Sequence, residues 1–136
     1  MTLNELAAAA LELTTRKGFH DTERGLESAL AGQPELLAEA HHLQTARRLA
    51  LIQSEVSEAL EACRKNRRAD RVAFEKEGAT KEAFEKYIKD SFEDELADAL
   101  IRILELAETE GIDIEAHVVA KMKYNAERPY KFGKAY

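Results

Sequence analysis

Apolar residues recur at intervals of three and four along most of the chain, which is the spacing of one face of an α-helix. The pattern predicts four long helices, over about 3–15, 34–67, 92–109 and 114–126. A short helical turn is expected over 26–31, and the charged segment 68–89 is expected to be a loop or a short helix. The sequence therefore predicts an all-α bundle of about four to five helices, in one domain spanning 1–136.

Capping signals place the helix boundaries. Thr2 precedes the first helix with Glu5 three residues on, the pattern of a capping box. Ser91 and Asp113 are expected to cap the third long helix and the last helix. Gly18 interrupts the apolar pattern, so the first helix is expected to end before it.

The third long helix carries an unusually wide apolar surface. Its apolar positions are Leu96, Ala99, Leu100, Ile101, Ile103, Leu104, Leu106 and Ala107. On a helical wheel they cover roughly 220°, which is more than one buried face needs. A second subunit is the simplest source of the extra cover, so the bundle is expected to be completed by oligomerisation.

Composition and charge narrow the classes of protein to which this chain could belong. The chain of 136 residues has a formal net charge of −6, which argues against a general nucleic-acid-binding protein. The single cysteine, Cys63, cannot form an internal disulfide, which fits a reducing cytoplasm. No apolar run is long enough to span a bilayer, and no basic segment precedes the first apolar stretch, so neither membrane insertion nor a signal peptide is expected.

Two pairs of carboxylates are the main candidate chemistry. Glu55 and Glu58 lie three apart on the second long helix, and Glu95 and Asp98 lie three apart on the third. Each pair can direct two oxygen ligands to the same side of its helix, and hard oxygen ligands suit Mg²⁺ or Mn²⁺. The second helix also has an apolar stripe, expected to be its core face: Leu49, Ile52, Val56, Ala59 and Cys63. The first acid pair lies on the shoulder of that stripe, although acids at helical spacing are also common on solvated surfaces.

A cationic cluster near the C-terminus is the second candidate. Lys121 and Asn125 are four apart on the last helix, and Arg128 and Lys134 follow. These side chains could form a phosphate clamp. They could equally be a basic last turn that complements the helix dipole.

Other chemistries receive less support. His20 lies beside Phe19 in the loop KGFHD. An aromatic side chain in this loop could stack on a nucleotide base, or Phe19 could simply pack against the end of the bundle. Glu39 and His42 form one Glu-x-x-His pair, but a di-iron bundle needs two, so an iron site is the weakest alternative. Cys63 is expected to be a small buried hydrophobic residue.

Four blocks together resemble the MazG-like family of all-α nucleoside triphosphate pyrophosphohydrolases. They are KGFHD, LALIQSEVSEALEACRKN, FEDELADALIRILELAETEGIDIEA and KMKYNAERPYKFGK, in the family's order. The first helix and residues 66–90 match weakly. Phe132 departs from the family pattern, because a histidine often precedes the Gly-Lys pair there.

The resemblance implies hydrolysis of a nucleoside triphosphate between its α- and β-phosphates by a cytoplasmic homodimer or homotetramer that uses Mg²⁺ or Mn²⁺. Its implied metal ligands and catalytic residues are Glu55, Glu58, Glu95 and Asp98. Its implied substrate-binding residues are Lys121, Asn125, Arg128 and Lys134, and His20 for the base. The alternative is a non-catalytic helical oligomer that binds a nucleotide or a partner protein, with the acids as solvated strips.

Overall fold

The order of helices follows the apolar pattern closely. The computed structural model describes residues 1–133 and the side chains of residues 1–131. Within that range the chain forms α-helices and one short 3₁₀ turn, without any strand. The helices are α1 Leu3–Arg16, α2 Asp21–Ala29, α3 Pro34–Arg64, α4 Arg71–Lys76, α5 Lys81–Tyr87, α6 Phe92–Thr109 and α7 Ile114–Ala126, and the 3₁₀ turn is Tyr130–Gly133. The all-α class is confirmed, and the helix count exceeds four to five because segment 68–89 contains two short helices. The expected turn over 26–31 is wrong in its bounds, since α2 already begins at Asp21, and α3 ends at Arg64, before the expected 67.

The predicted helix caps are present. At the start of α1, the Thr2 hydroxyl accepts from the Glu5 amide at 3.1 Å, and the Glu5 carboxylate accepts from the Thr2 amide at 2.7 Å. Ser91 caps α6 and Asp113 caps α7. The side chain of each accepts a hydrogen bond from the backbone amide three residues further on. After α1, Gly18 has a φ of +82°, a conformation that residues with a Cβ rarely adopt. The chain can therefore turn sharply into α2 and position the loop that carries His20.

Helix α6 lies at the centre of the fold, packed against α1 and α3. Helix α7 returns toward the start of α1, where the Asn4 side-chain amide donates to Asp113 at 2.8 Å and the Leu3 amide donates to Glu115 at 3.0 Å. All side chains of residues 116–124 are exposed. Helix α7 is thus held at its start and has a largely uncovered surface beyond it.

The short helices α4 and α5 form a hairpin between α3 and α6 in the chain. The rings of Phe74 and Phe84 pack edge to face, with centroids 6.1 Å apart. At the base of the hairpin the Phe92 amide donates to the Arg67 carbonyl at 3.0 Å. This bond holds the end of α3 beside the start of α6, so the acid pairs of the two helices face one another.

Small residues line the contact between the long helices. The buried apolar residues are Ala7, Ala59, Ala62, Ala83, Ala99, Leu104 and Ala107. Because alanine has a small side chain, α3 and α6 can approach closely at Ala59, Ala62 and Ala99. Large apolar side chains are instead exposed on α3, α6 and α7, among them Leu60, Leu96, Leu100, Ile103, Val119 and Met122.

The expected core face of α3 is correct only in part. Ala59 is buried, but Leu49, Val56 and Cys63 are all exposed, so Cys63 is not a buried hydrophobic residue. The buried face of α3 is centred on the shoulder of the expected stripe, at Glu55 and Ala62. Helix α3 has this orientation because its small side chains, rather than its large ones, fit against α6.

None of the described helices is both long enough and apolar enough to cross a bilayer.

Candidate metal centre

Three of the four predicted acids converge where α3 faces the start of α6. One carboxylate oxygen from each of Glu55, Glu58 and Glu95 lies within 4.8 Å of the other two. Glu55 and Glu95 are each only 8% exposed, whereas Glu58 is exposed. We call these three residues the acid triad. Three hard oxygen ligands on two rigid helices, with one side open to solvent, suit Mg²⁺ or Mn²⁺ with waters or substrate oxygens completing its shell.

Electrostatic repulsion acts on the triad in the absence of a cation. Burial raises the pKa of Glu95 above its usual range, and the neighbouring charges of Glu58, Asp94, Asp98 and Glu55 raise it further. A bound divalent cation would reverse this repulsion, since it stabilises the charged form of each carboxylate.

Asp98 lies at the edge of the triad. Burial is the main cause that raises the pKa of Asp98, followed by the charges of Asp94 and Glu55, while Arg102 lowers it. The Asp98 side chain lines the adjoining cavity, one turn along α6 from Glu95. It can therefore reach a ligand shared between the triad and the cavity.

The adjoining cavity has a volume of about 220 Å³. It is lined by Thr14, Phe19, His20, Glu23, Arg47, Arg48, Leu51, Asp98, Ile101, Arg102, Glu105 and Leu106. Its wall combines apolar side chains with three arginines and three carboxylates, and Phe19 in this wall is 71% exposed. An aromatic ring and arginines beside the acid triad could contact a base and phosphate groups.

His20 forms the floor of this cavity rather than a free stacking surface. Its Nε2 lies 2.7 Å from the Glu105 carboxylate, and Arg48 donates to its Nδ1 at 3.0 Å. Because a carboxylate can only accept, Nε2 donates to Glu105, while Nδ1 lies between the Arg48 guanidinium and the Glu23 carboxylate, which is 3.3 Å away. Thr14 also donates to Glu105, at 2.9 Å, and Arg48 donates to Glu23. The ring nitrogens of His20 are therefore already engaged, and Phe19 is the more accessible aromatic ring for stacking.

We expect His20→Ala to destabilise the protein by about 1–3 kcal/mol, because Glu105 and Arg48 would each lose a partner in a largely buried network. Urea unfolding monitored by circular dichroism measures this change. His42→Ala is the matched control: His42 is exposed on α3, so its loss should change stability by no more than about 0.5 kcal/mol. Equal stability of the two variants would show that the network contributes nothing to folding.

The described members of the cationic cluster, Lys121, Asn125 and Arg128, belong neither to the acid triad nor to the cavity beside it. Lys121 is exposed, with its Nζ 5.0 Å from the centroid of the Tyr124 ring. The Arg128 guanidinium lies 5.9 Å from the same ring. The buried Oδ1 of Asn125 accepts no hydrogen bond within the described part of the chain, and none of these three residues lines the cavity. Lys134 lies outside the described residues.

The weaker alternative of an iron site gains no geometric support. Glu39 and His42 are both exposed, and neither belongs to the acid triad. His41 is exposed and pairs with Glu110 at 3.2 Å.

Sequence reasoning missed two residues that shape the acid centre. Asp94 adds a negative charge near Glu95 and Asp98, and Arg102 donates to Glu55 at 2.5 Å. Both could have been found from spacing, since 94, 98 and 102 recur every four residues on α6 and share a face.

Comparison with known proteins gives no match to any family model, curated protein or solved structure.

Proposed function

We propose that this protein is a metal-dependent nucleoside triphosphate pyrophosphohydrolase of the MazG-like type. The observation that carries the proposal is the acid triad, in which oxygens from two packed helices lie within 4.8 Å of one another. The cavity beside it is lined by arginines, carboxylates and apolar side chains. The products would be a nucleoside monophosphate and pyrophosphate.

The donor set fits the proposed cofactor, Mg²⁺ or Mn²⁺. Glu55, Glu58 and Glu95 would hold the ion, and Asp98 would serve a second ion or a coordinated water at the cavity edge. When bound, such an ion supplies charge neutralisation for the triphosphate and acidifies a coordinated water.

The residues of this chain have separate tasks in the proposed reaction. Glu58 is the exposed member of the triad and accepts only a weak 3.3 Å bond from the Ser54 hydroxyl. Its carboxylate is therefore the member best placed to accept a proton from the attacking water. The arginines of the cavity wall would hold the phosphate chain, and Phe19 would stack against the base.

Self-association accounts for the uncovered apolar surface. The chain has an accessible surface of 10122 Å² at a mass of 15.3 kDa. A compact monomer of this mass exposes roughly 7,100 Å², so about 3,000 Å² of additional surface is available for contacts between subunits. In the proposed homodimer or homotetramer, Lys121, Asn125, Arg128 and Lys134 of one subunit would bind the phosphates held at the acid triad of another.

We expect Leu100→Glu to dissociate the oligomer, because this residue is 46% exposed on α6 and a buried, unpaired carboxylate would oppose association. Light scattering coupled to size-exclusion chromatography gives the mass directly. Val72→Glu on α4 is the matched control; that residue is 63% exposed and lies outside the uncovered apolar surface of α3, α6 and α7, so its replacement should leave the mass unchanged. A wild-type mass of one chain would contradict self-association.

Pyrophosphate release from a panel of ordinary and modified nucleoside triphosphates tests the proposed reaction. We expect release with Mg²⁺ or Mn²⁺ and none with excess chelator. No release from any nucleotide at high enzyme concentration would refute the proposal.

The exposed apolar side chains of α3, α6 and α7 also favour a second function, a non-catalytic helical oligomer that binds a nucleotide or a partner protein. Calorimetric titration separates the two functions. If the protein is an enzyme, it must bind metal, and this binding must be lost when the four acids are replaced by their amides. A non-catalytic oligomer does not require metal binding by these acids.

A further inference from the structure

Arg102 forms an ion pair with one member of the acid triad. Its Nε donates to the Glu55 carboxylate at 2.5 Å, so the most buried acid of α3 is neutralised by an arginine. The Arg102 side chain is 39% exposed, whereas that of Glu55 is 10% exposed. The arginine therefore reaches the triad from the solvent side and has space to leave it.

A divalent ion in the triad would compete with this arginine. Both would bind the Glu55 carboxylate, and their like charges would repel each other across a largely buried carboxylate, where screening by water is weak. The long arginine side chain can relieve the repulsion by rotating, while its backbone stays fixed in α6. The direction open to it is the cavity, since Arg102 already forms part of the cavity wall beside Asp98.

We propose that Arg102 exchanges between two anions: it neutralises Glu55 in the metal-free protein and, once a divalent ion occupies the triad, contacts the phosphate chain of the nucleotide in the cavity. This inference rests on the metal centre of the proposed function. The guanidinium suits both roles because its planar set of N–H donors binds carboxylate and phosphate groups alike. The arginine thus keeps the acids in place until metal and substrate arrive.

A fixed structural ion pair leads to different expectations. If Arg102 only held α6 against α3, its removal would disorder the triad and weaken the binding of both metal and phosphate. The exchange instead predicts opposite changes, since the metal loses a competitor while the phosphate loses a donor.

The first experiment is calorimetric titration of Mn²⁺ into the metal-free full-length protein, without nucleotide. We expect Arg102→Gln to bind Mn²⁺ about tenfold more tightly than the wild type. Arg47→Gln is the charge-matched control, because Arg47 lines the same cavity but pairs with Glu23, at 4.0 Å, rather than with the triad. Its Mn²⁺ affinity should lie within about twofold of the wild type, since an exposed charge acts only weakly at a distance.

The second experiment uses inorganic tripolyphosphate as a base-free probe, added to protein saturated with Mn²⁺. We expect Arg102→Gln to bind it about tenfold more weakly than the wild type, with far-UV circular dichroism showing equal helix content. Unchanged or weaker Mn²⁺ binding by Arg102→Gln would overturn the exchange, and so would unchanged tripolyphosphate binding. If neither the wild type nor Arg102→Gln binds Mn²⁺, the metal centre of the proposed function fails as well.

Discussion

Replacement of Glu55 by glutamine is expected to lower pyrophosphate release by at least about a hundredfold, with the helical fold retained. The amide keeps the shape of the side chain and can still accept from Arg102, but it removes one of the three negative charges of the triad. Metal affinity should fall with activity, because a neutral amide oxygen is a poorer ligand for a hard divalent ion. Single-turnover assays over a range of Mg²⁺ concentrations measure both changes.

Glu61→Gln provides the matched control on the same helix. Glu61 is exposed and pairs with Lys65 at 2.9 Å, away from the triad. Its replacement should leave activity within about twofold of the wild type, because exposed ion pairs contribute little. Retained activity in Glu55→Gln, or equal loss in both variants, would show that the assignment of the ligand is wrong.

Replacement of Glu95 by glutamine should have opposite effects on activity and on stability. Activity should again fall by at least about a hundredfold, since a metal ligand is lost. The metal-free protein should nevertheless become more stable, because burial and the nearby negative charges disfavour the charged form of Glu95. We expect a melting temperature higher by a few degrees in excess chelator and a smaller stabilisation by Mn²⁺ than in the wild type.

The pH dependence of the same pair of proteins gives an independent check. The pKa of Glu95 is raised in the folded protein, so the native state takes up this proton more readily than the unfolded state. Ionised Glu95 therefore lowers the free energy of unfolding at neutral pH, and this destabilisation is lost as the pH falls through the raised pKa. The stability advantage of Glu95→Gln in chelator should shrink as the pH falls below neutral. An advantage independent of pH, or a less stable variant, would contradict the electrostatic account of the triad.

Local signals were sufficient to predict the start of α1, α6 and α7 and the end of α1. The caps at Thr2, Ser91 and Asp113 each depend on one side chain and an amide three residues on, which the sequence displays directly. Gly18 marks the end of α1 for a similar local reason, since its positive φ is tolerated best by glycine. These boundaries require no knowledge of tertiary packing.

The rotation of α3 could not be predicted from its own sequence. Helix α3 has an apolar stripe through Leu49 and Val56 and a neighbouring stripe of small and acidic side chains through Glu55 and Ala62. A helical wheel shows both but does not show which stripe faces another helix of the same chain. Close approach at small residues decided the orientation, and the larger side chains remained exposed.

The candidate site was predicted in part. Spacing identified the residues of the triad, because three-residue intervals place pairs of acids on one side of each helix. It did not identify the pairing of Arg102 with Glu55, which depends on how α6 faces α3. The phosphate-binding role of Lys121, Asn125, Arg128 and Lys134 stays a prediction, because the residues described on α7 do not line the cavity of their own chain.

The most direct test of the metal centre is the anomalous scattering of Mn²⁺ in crystals grown with a non-hydrolysable α,β-imido nucleoside triphosphate. Our account predicts a strong anomalous peak among the carboxylates of Glu55, Glu58 and Glu95, with the phosphate chain extending from it into the adjoining cavity. Triad side chains without such a peak, or a nucleotide bound elsewhere on the surface, would contradict it.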